Sequence, residues 1–351
     1  MHTRRYVFTL VISLFLAAPI NAQTIREQDI RAELGFLASD AMQGCGSGTI
    51  YERIAAEYIG SLFSQFGLEP GGDSDSAGNK SFVQRVPVPT APSGATWNTI
   101  GILRGSDPSA AIMLSAHLDH LGVNEAAPGD DKIFNGADDD ASGSVAVIEL
   151  ARALAAGKKP RRTIYFVCFG SEERRGLGSK YFIDNPPVPL TQIVADLQFE
   201  MLGRPDAKVA AGTLWLTGFE RSNLGPELAR HGAALVADPH PEQRFFQRSD
   251  NFPLALRGVI AHTISSYGLH TDYHRASDEV SKIDFPFMTR SINSLVKPVQ
   301  WLANSNFRPA WLPGQAPTPR LTRQPCNQSS SLHPNNFASG LSETTIALPS
   351  C

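Results

Sequence analysis

Five short clusters hold the residues able to do chemistry. They are Ala116-His117-Leu118-Asp119-His120, the stretch from Asn135 to Gly143 with Asp138-Asp139-Asp140 inside it, Ser171-Glu172-Glu173, Phe199-Glu200-Met201, and the stretch from Asp272 to Asp278 that contains His274. Imidazoles and carboxylates together suit a borderline cation such as zinc. Two such ions about 3.5–4 Å apart need a shared ligand, and a carboxylate can bridge with its two oxygens. Two histidines, two glutamates and an aspartate would complete both sites around a bridging water. One carboxylate is then left over, as a general base requires. Taken singly, each cluster has a bland reading. A His-x-Asp is usually an ordinary hydrogen-bonded pair, a Glu-Glu a solvated turn, and an aspartate run a helix start. The run lacks the spacing of a calcium loop. Their joint order is what argues for metal chemistry. The chain has no Gly-x-Ser-x-Gly elbow and no phosphate-binding glycine loop.

The elements that must position these residues follow from apolar patterning. Ile25 to Asp40 and Thr49 to Phe66 have helical spacing, and in the second Ile54, Tyr58, Leu62 and Phe66 fall on one face. Asn98–Leu103, Ala111–Ala116, Arg162–Phe169, Ile193–Phe199, Thr213–Thr217 and Val259–Ile264 read as strands. Between and after them, Ser142–Ala156, Ser179–Asn185, Leu224–His231 and Phe287–Ala303 read as helices. Nearly continuous apolar strands alternating with helices predict an α/β fold, with a mixed, largely parallel central sheet covered by helices on both faces. His117, Glu172, Glu173 and Glu200 each follow the carboxyl end of a predicted strand, where open α/β sheets bind ligands.

The 351 residues are 42% apolar and 19% charged, which excludes a disordered chain and a miniature disulfide scaffold. A net charge of −3 gives no basic excess, so no nucleic-acid partner is expected. Residues 1–22 have the parts of a secretory signal: Arg4 and Arg5, an apolar run from Tyr6 to Ala18, then Pro19-Ile20-Asn21-Ala22. The run is short for a span of about 20 residues. The expectation is therefore cleavage, a secreted or periplasmic chain, and no stable membrane association afterwards. A catalytic domain is expected over residues 23–312. Residues 313–351, dominated by Pro, Ser, Thr, Asn and Gln, read as a low-complexity, disordered tail. Cys168 sits in an apolar run and is expected as a buried free thiol. Cys326 and Cys351 can pair in an oxidising compartment, and Cys45 is open to either state.

These residues resemble the secreted di-zinc metallopeptidases that include bacterial leucyl aminopeptidases, with glutamate carboxypeptidases and glutaminyl cyclases as relatives. The resemblance runs from Ile25 to Pro309. It rests on His117-Leu118-Asp119-His120-Leu121-Gly122, on Asn135–Gly143, on Glu172-Glu173 with Gly178-Ser179 following, and on His274 with Asp278 four residues on. It implies two Zn2+ ions and peptide substrates. By position, Asp139 would bridge both metals. His117 and Glu200 would complete one site, Glu173 and His274 the other. Glu172 would be the general base, and Asp119 would orient His117. His120 and His270 compete with His274 but lack its aspartate at plus four. The chain also departs from the pattern. Glu200 stands where many members have Asp, Arg174-Arg175-Gly176 replaces a Gly-Leu turn, and Phe246 replaces a tyrosine found in some relatives. Aminopeptidase is the leading function. The alternatives are a carboxypeptidase or dipeptidase, for which Arg204, Arg244 or Arg248 would hold the substrate carboxylate, a one-zinc glutaminyl cyclase, and a non-catalytic binding domain.

Overall fold

The computed structural model describes residues 24–318. The predicted signal, and the predicted tail from residue 319 on with Cys326 and Cys351, lie outside the described residues. The chain opens with α1 (Glu27–Leu37) and α2 (Ile50–Gln65), then β1 (Glu69–Pro70), β2 (Val83–Pro87), β3 (Ala95–Leu103) and β4 (Asp107–His117). A small β5–β6 pair (Gly122–Val123, Ile133–Phe134) precedes α3 (Gly143–Ala155), β7 (Arg162–Phe169), α4 (Leu177–Asp184) and β8 (Ile193–Phe199). The remaining elements are β9 (Leu214–Leu216), α5 (Leu224–Arg230), β10 (Leu235–Ala237), α6 (Asn251–Leu256), β11 (Ala261–Ser265) and α7 (Phe285–Asn304). Among the described residues no helix is long and apolar enough to cross a membrane.

The main sheet runs β1-β3-β7-β4-β8-β11-β9-β10, with β2 beside β3. Its centre, β7-β4-β8-β11, is parallel, while β3 and β9 join it antiparallel. Successive side chains of the central strands enter two different cores. Ile164, Phe166 and Cys168 of β7 join Ile112 and Leu114 of β4 beneath α1, α2, α3 and α7. Tyr165, Val167 and Phe169 join Met113 on the other face, beneath Phe182 of α4 and Leu254 of α6. Burial on both faces is why these strands read as unbroken apolar runs. Every residue of α3 from Gly143 to Leu154 is buried, because this helix lies between the sheet and the outer helices.

One predicted face is corrected. In α2 the core takes Ala55, Ala56, Ile59 and Phe63, whereas Ile54 is exposed and Tyr58, Leu62 and Phe66 are only partly buried. The small residues Ala56 and Gly60 let this helix approach β3, and the larger side chains flank that contact. Cys168 is a buried free thiol as expected. Cys45 is buried too, and its thiol donates to the carbonyl of Leu37.

Candidate metal centre

The parallel strands deliver their chemistry to one edge. His117 is the last residue of β4, Glu172 and Glu173 follow β7 through Gly170-Ser171, and Glu200 follows β8. Asp139 comes from the loop that opens α3, and His274 from the segment between β11 and α7. The His117 Nε2 atom lies 3.2 Å from Asp139 Oδ1. Its other nitrogen donates to the backbone carbonyl of Asp119 at 3.0 Å. A neutral ring so held turns the Nε2 lone pair toward a carboxylate, an arrangement that only a proton or a cation reconciles. On the other side of Asp139, His274 Nε2 lies 3.1 Å from Oδ2 and 3.2 Å from Glu173 Oε1. His120 Nδ1 also reaches Glu173 Oε1, at 3.1 Å.

Two donor groups therefore share Asp139: His117–Asp139–Glu200 and His120–Asp139–Glu173, each with its donor atoms within 4.8 Å of one another. His274 adds a fourth donor to the second group. Both ring nitrogens of His120, and Oδ2 of Asp139, are buried without a hydrogen-bond partner. Orphaned buried polar atoms are costly, and a bound cation would satisfy them. Mixed imidazole and carboxylate donors suit zinc. Charge distribution agrees. Burial opposes ionisation of Asp139, but His117 and His274 hold its carboxyl well below the usual range. Burial alone would lower the His274 imidazole, yet the adjacent carboxylates of Asp139 and Glu173 raise it to about 10. Burial, reinforced by Asp139, pushes Glu200 up to about 7.

The supports are as informative as the donors. The Asp119 carboxylate is 3.8 Å from the His117 ring. It accepts instead from the backbone N–H of Glu172 at 2.8 Å and from Ser47 Oγ at 2.5 Å. The ring is thus oriented by the Asp119 carbonyl, and the Asp119 side chain fixes the Glu172 turn. Asp140 accepts from the N–H groups of His117, Gly143 and Met201, tying together three elements that carry site residues. Asp278 accepts from the N–H groups of Asp138 and Asp139, so the aspartate four residues after His274 anchors the opposite loop. His270 is drawn away by Asp138, 2.9 Å from its Nε2. Gly136 has φ +64, and a Cβ there would lie 2.4 Å from the Asp139 carbonyl and 2.6 Å from the His120 ring. The Arg174-Arg175-Gly176 turn closes despite its departure. Arg175 (φ 68) and Gly176 (φ 62) both take left-handed geometry, and the N–H of Gly176 donates to the Glu172 carbonyl at 2.9 Å.

Sequence reasoning gave no role to Asp140, Ser47 or Glu52. Glu52 accepts from the N–H groups of Gly48 and Ser171 and from Thr96 Oγ1, bracing the residue before Glu172 from the far side. The one available signal was the Gly46-Ser47-Gly48 loop, a polar insertion before an apolar helix.

A cavity opens from the donor cluster, lined by Asp139, Glu172, Glu173 and Glu200 and by the aromatic side chains of Trp215, Phe245, Tyr267 and Tyr273. Phe246, which the sequence resemblance sets where some relatives carry a tyrosine, is not among the residues lining it. It packs on Phe252, His262 and Trp311.

A parallel-centred α/β sheet with paired carboxylate–imidazole donor groups at its carboxyl edge is the architecture of a metal-dependent hydrolase. The profile of Peptidase family M28 matches residues 98–297, and the chain belongs to that family. It is 36% identical over 138 residues to leupeptin-inactivating enzyme 1 of Streptomyces exfoliatus, a stretch covering 38% of this chain and 28% of that protein. The chain thus spans under a third of that relative's length. Among solved structures, an aminopeptidase from Aneurinibacillus sp. strain AM-1 superposes with a TM-score of 0.60 at 16% identity, covering 81% of this chain and 96% of the other. A glutaminyl cyclase from Porphyromonas gingivalis gives a TM-score of 0.61 at 18% identity, covering 79% and 99%. Both share the fold.

Proposed function

We propose that this chain is a secreted, zinc-dependent aminopeptidase that removes N-terminal residues from peptides. The observation that carries the proposal is the pair of donor groups sharing Asp139, with Glu172 on the wall of the same cavity. In this reading His117 and Glu200 hold one ion with Asp139, and Glu173 and His274 hold the second. Zinc held by these residues would supply a water of lowered pKa and a Lewis acid for the scissile carbonyl. Glu172 takes the proton of the attacking water and returns it to the leaving amine nitrogen. Asp119 fixes Glu172 through its backbone N–H, and Ser47 fixes Asp119. Membership of a peptidase family and the likeness to proteins named aminopeptidases support this choice. The apolar leader at residues 1–22 supports export, with the catalytic domain over residues 23–312 and residues 313–351 as an accessory tail.

Base and ligand separate in a paired experiment. Glu172→Gln removes a proton acceptor and should keep both metals while losing turnover by at least about 10²-fold, the lower end for general-base loss. Glu173→Gln removes an anionic ligand and should weaken one metal, with partial rescue by added zinc. Metal content and peptide hydrolysis are measured together. Loss of metal from Glu172→Gln with retention in Glu173→Gln would exchange the two roles. One tightly bound metal at saturation would reject the two-ion site and favour the cyclase. Full activity in both variants would sink the hydrolase reading.

A further inference from the structure

The cavity beside the donor cluster has a continuous aromatic wall. Trp215 stacks on Phe245 with centroids 5.5 Å apart, Phe245 meets Tyr267 edge-on at 5.8 Å, and Tyr273 stacks on His274 at 3.9 Å. Arg248 is the one cationic side chain among the residues lining this cavity. Its guanidinium lies over the Phe245 ring, 4.9 Å from the centroid, and one Nη donates to Tyr273 Oη at 3.5 Å. No carboxylate among the described residues pairs with it. The other two arginines weighed from sequence are placed differently. Arg204 is neutralised by Asp272 at 2.8 Å, and Arg244 does not line the cavity.

A guanidinium at this position acts on the choice of substrate. The four carboxylates of the cavity are those beside or within the metal donor groups. With cations bound there, Arg248 leaves the substrate side of the cavity positive. A free ammonium directed at it is repelled, whereas a carboxylate can take two parallel N–H···O bonds from the planar fork. The aromatic wall would meanwhile pack against the aliphatic carbons between that carboxylate and the substrate backbone.

We propose that Arg248 is the specificity residue of this cavity and binds a substrate carboxylate beside the metal centre. This rests on the peptidase reading above. The carboxylate has two possible sources. It is either the side chain of an N-terminal acidic residue, in an aminopeptidase, or the terminal carboxylate of the residue released by a carboxypeptidase. L-Isoglutamine, which keeps only the γ-carboxylate, and L-glutamine, which keeps only the α-carboxylate, distinguish them.

The test uses full-length, zinc-loaded protein with the wild-type residue, Arg248→Gln and Arg248→Lys. Calorimetry measures binding of L-isoglutamine, L-glutamine and L-glutamine amide. Hydrolysis of glutamyl and glutaminyl anilides, and of N-blocked dipeptides ending in a free or amidated carboxyl group, is measured in parallel. The favoured carboxylate should bind at least about tenfold more tightly than the amide, the worth of one charge-assisted hydrogen bond. Arg248→Gln should abolish that ratio, acting on KM more than on kcat, and Arg248→Lys should restore part of it. A preference for isoglutamine assigns the side-chain carboxylate, and a preference for glutamine the terminal one. An equal ratio in the wild type and Arg248→Gln overturns the proposal. Arg248-dependent binding with no hydrolysis of any peptide would leave the anchor standing and remove the peptidase reading instead.

Discussion

Glu33 offers a quantitative test of the core that supports the site. It lies on α1, is only 7% exposed, and faces Glu149 of α3, the helix opened by the Asp139 loop. Arg152 donates twice to Glu149, at 2.8 and 2.5 Å, and lies 3.4 Å from Asp29, so its charge is already matched. Glu33 Oε2 has no hydrogen-bond partner. Burial first, then the charge of Glu149, pushes the Glu33 carboxyl from 4.5 up to about 9. The folded state therefore keeps a proton that the unfolded chain releases. Below pH 4.5 both states hold it and it costs nothing. Between 4.5 and 9 each pH unit costs folding about 1.4 kcal/mol. At pH 7.5 that is about 4 kcal/mol. Glu33→Gln keeps an N–H donor for Glu149 and cannot ionise, so it should remove this cost. At 2–4 °C per kcal/mol for a domain of this order, Tm should rise by roughly 10 °C at pH 7.5. Thermal melts of wild type and Glu33→Gln from pH 5 to pH 8 should diverge steadily as pH rises and converge near pH 5. A difference independent of pH, or a less stable variant at pH 8, would refute a protonated Glu33.

Two further outcomes concern the site. Asp119→Asn exchanges one carboxylate oxygen for a donor where both oxygens accept, from Ser47 and from the Glu172 N–H. It should keep the zinc content but lower kcat by about tenfold or more, through a displaced Glu172; metal analysis with steady-state kinetics checks this. His274→Ala and His120→Ala compare the two imidazoles beside Glu173. His274 approaches both Asp139 and Glu173 within 3.2 Å, so its loss should release one zinc, whereas His120→Ala should lower zinc affinity less. Zinc titration followed by thermal stability would read the reverse order if His120 is the ligand.

Much of this fold was legible because its central strands bury both faces. The limits of β7 and β8 coincide with the apolar runs Arg162–Phe169 and Ile193–Phe199. The segments missed are those whose sequences lack that signal. β2, Val83-Gln84-Arg85-Val86-Pro87, mixes polar residues and a proline at the sheet's margin. α6 has six residues with Pro253 among them, too short for periodicity to register. In α2 the apolar spacing pointed to the large residues, while the buried face was set by the small residues that allow close approach to β3. Within the candidate site, residue types and order name the clusters, and the aspartate four residues on ranks His274 above His120 and His270, but nothing in the sequence shows what holds each ring. The position of Asp138, which draws His270 aside, and of Glu173, which meets both His120 and His274, exists only in three dimensions. The roles of Glu52 and Asp140 were hidden for the same reason, because each accepts from a backbone N–H group far away in sequence.

The aspartate run shows how adjacency in sequence becomes divergence in function. Asp138 accepts from the N–H of Gly203 at 2.7 Å and meets His270, turning toward the segment after β8. Asp139 turns the other way, one oxygen toward His117 and the other toward His274. Asp140 turns back into the protein and gathers three N–H groups from β4, α3 and the segment after β8. Three neighbouring carboxylates would repel one another strongly if they shared an environment. Each instead faces its own donors, and only the middle one is left with an oxygen lacking a hydrogen-bond partner. Asp138 and Asp140 spend their hydrogen bonds tying the loop to β4, to the start of α3 and to the segment after β8. That asymmetry would suit the bridging role proposed for Asp139: a rigid frame from its neighbours, and an oxygen without a hydrogen-bond partner for a cation to claim.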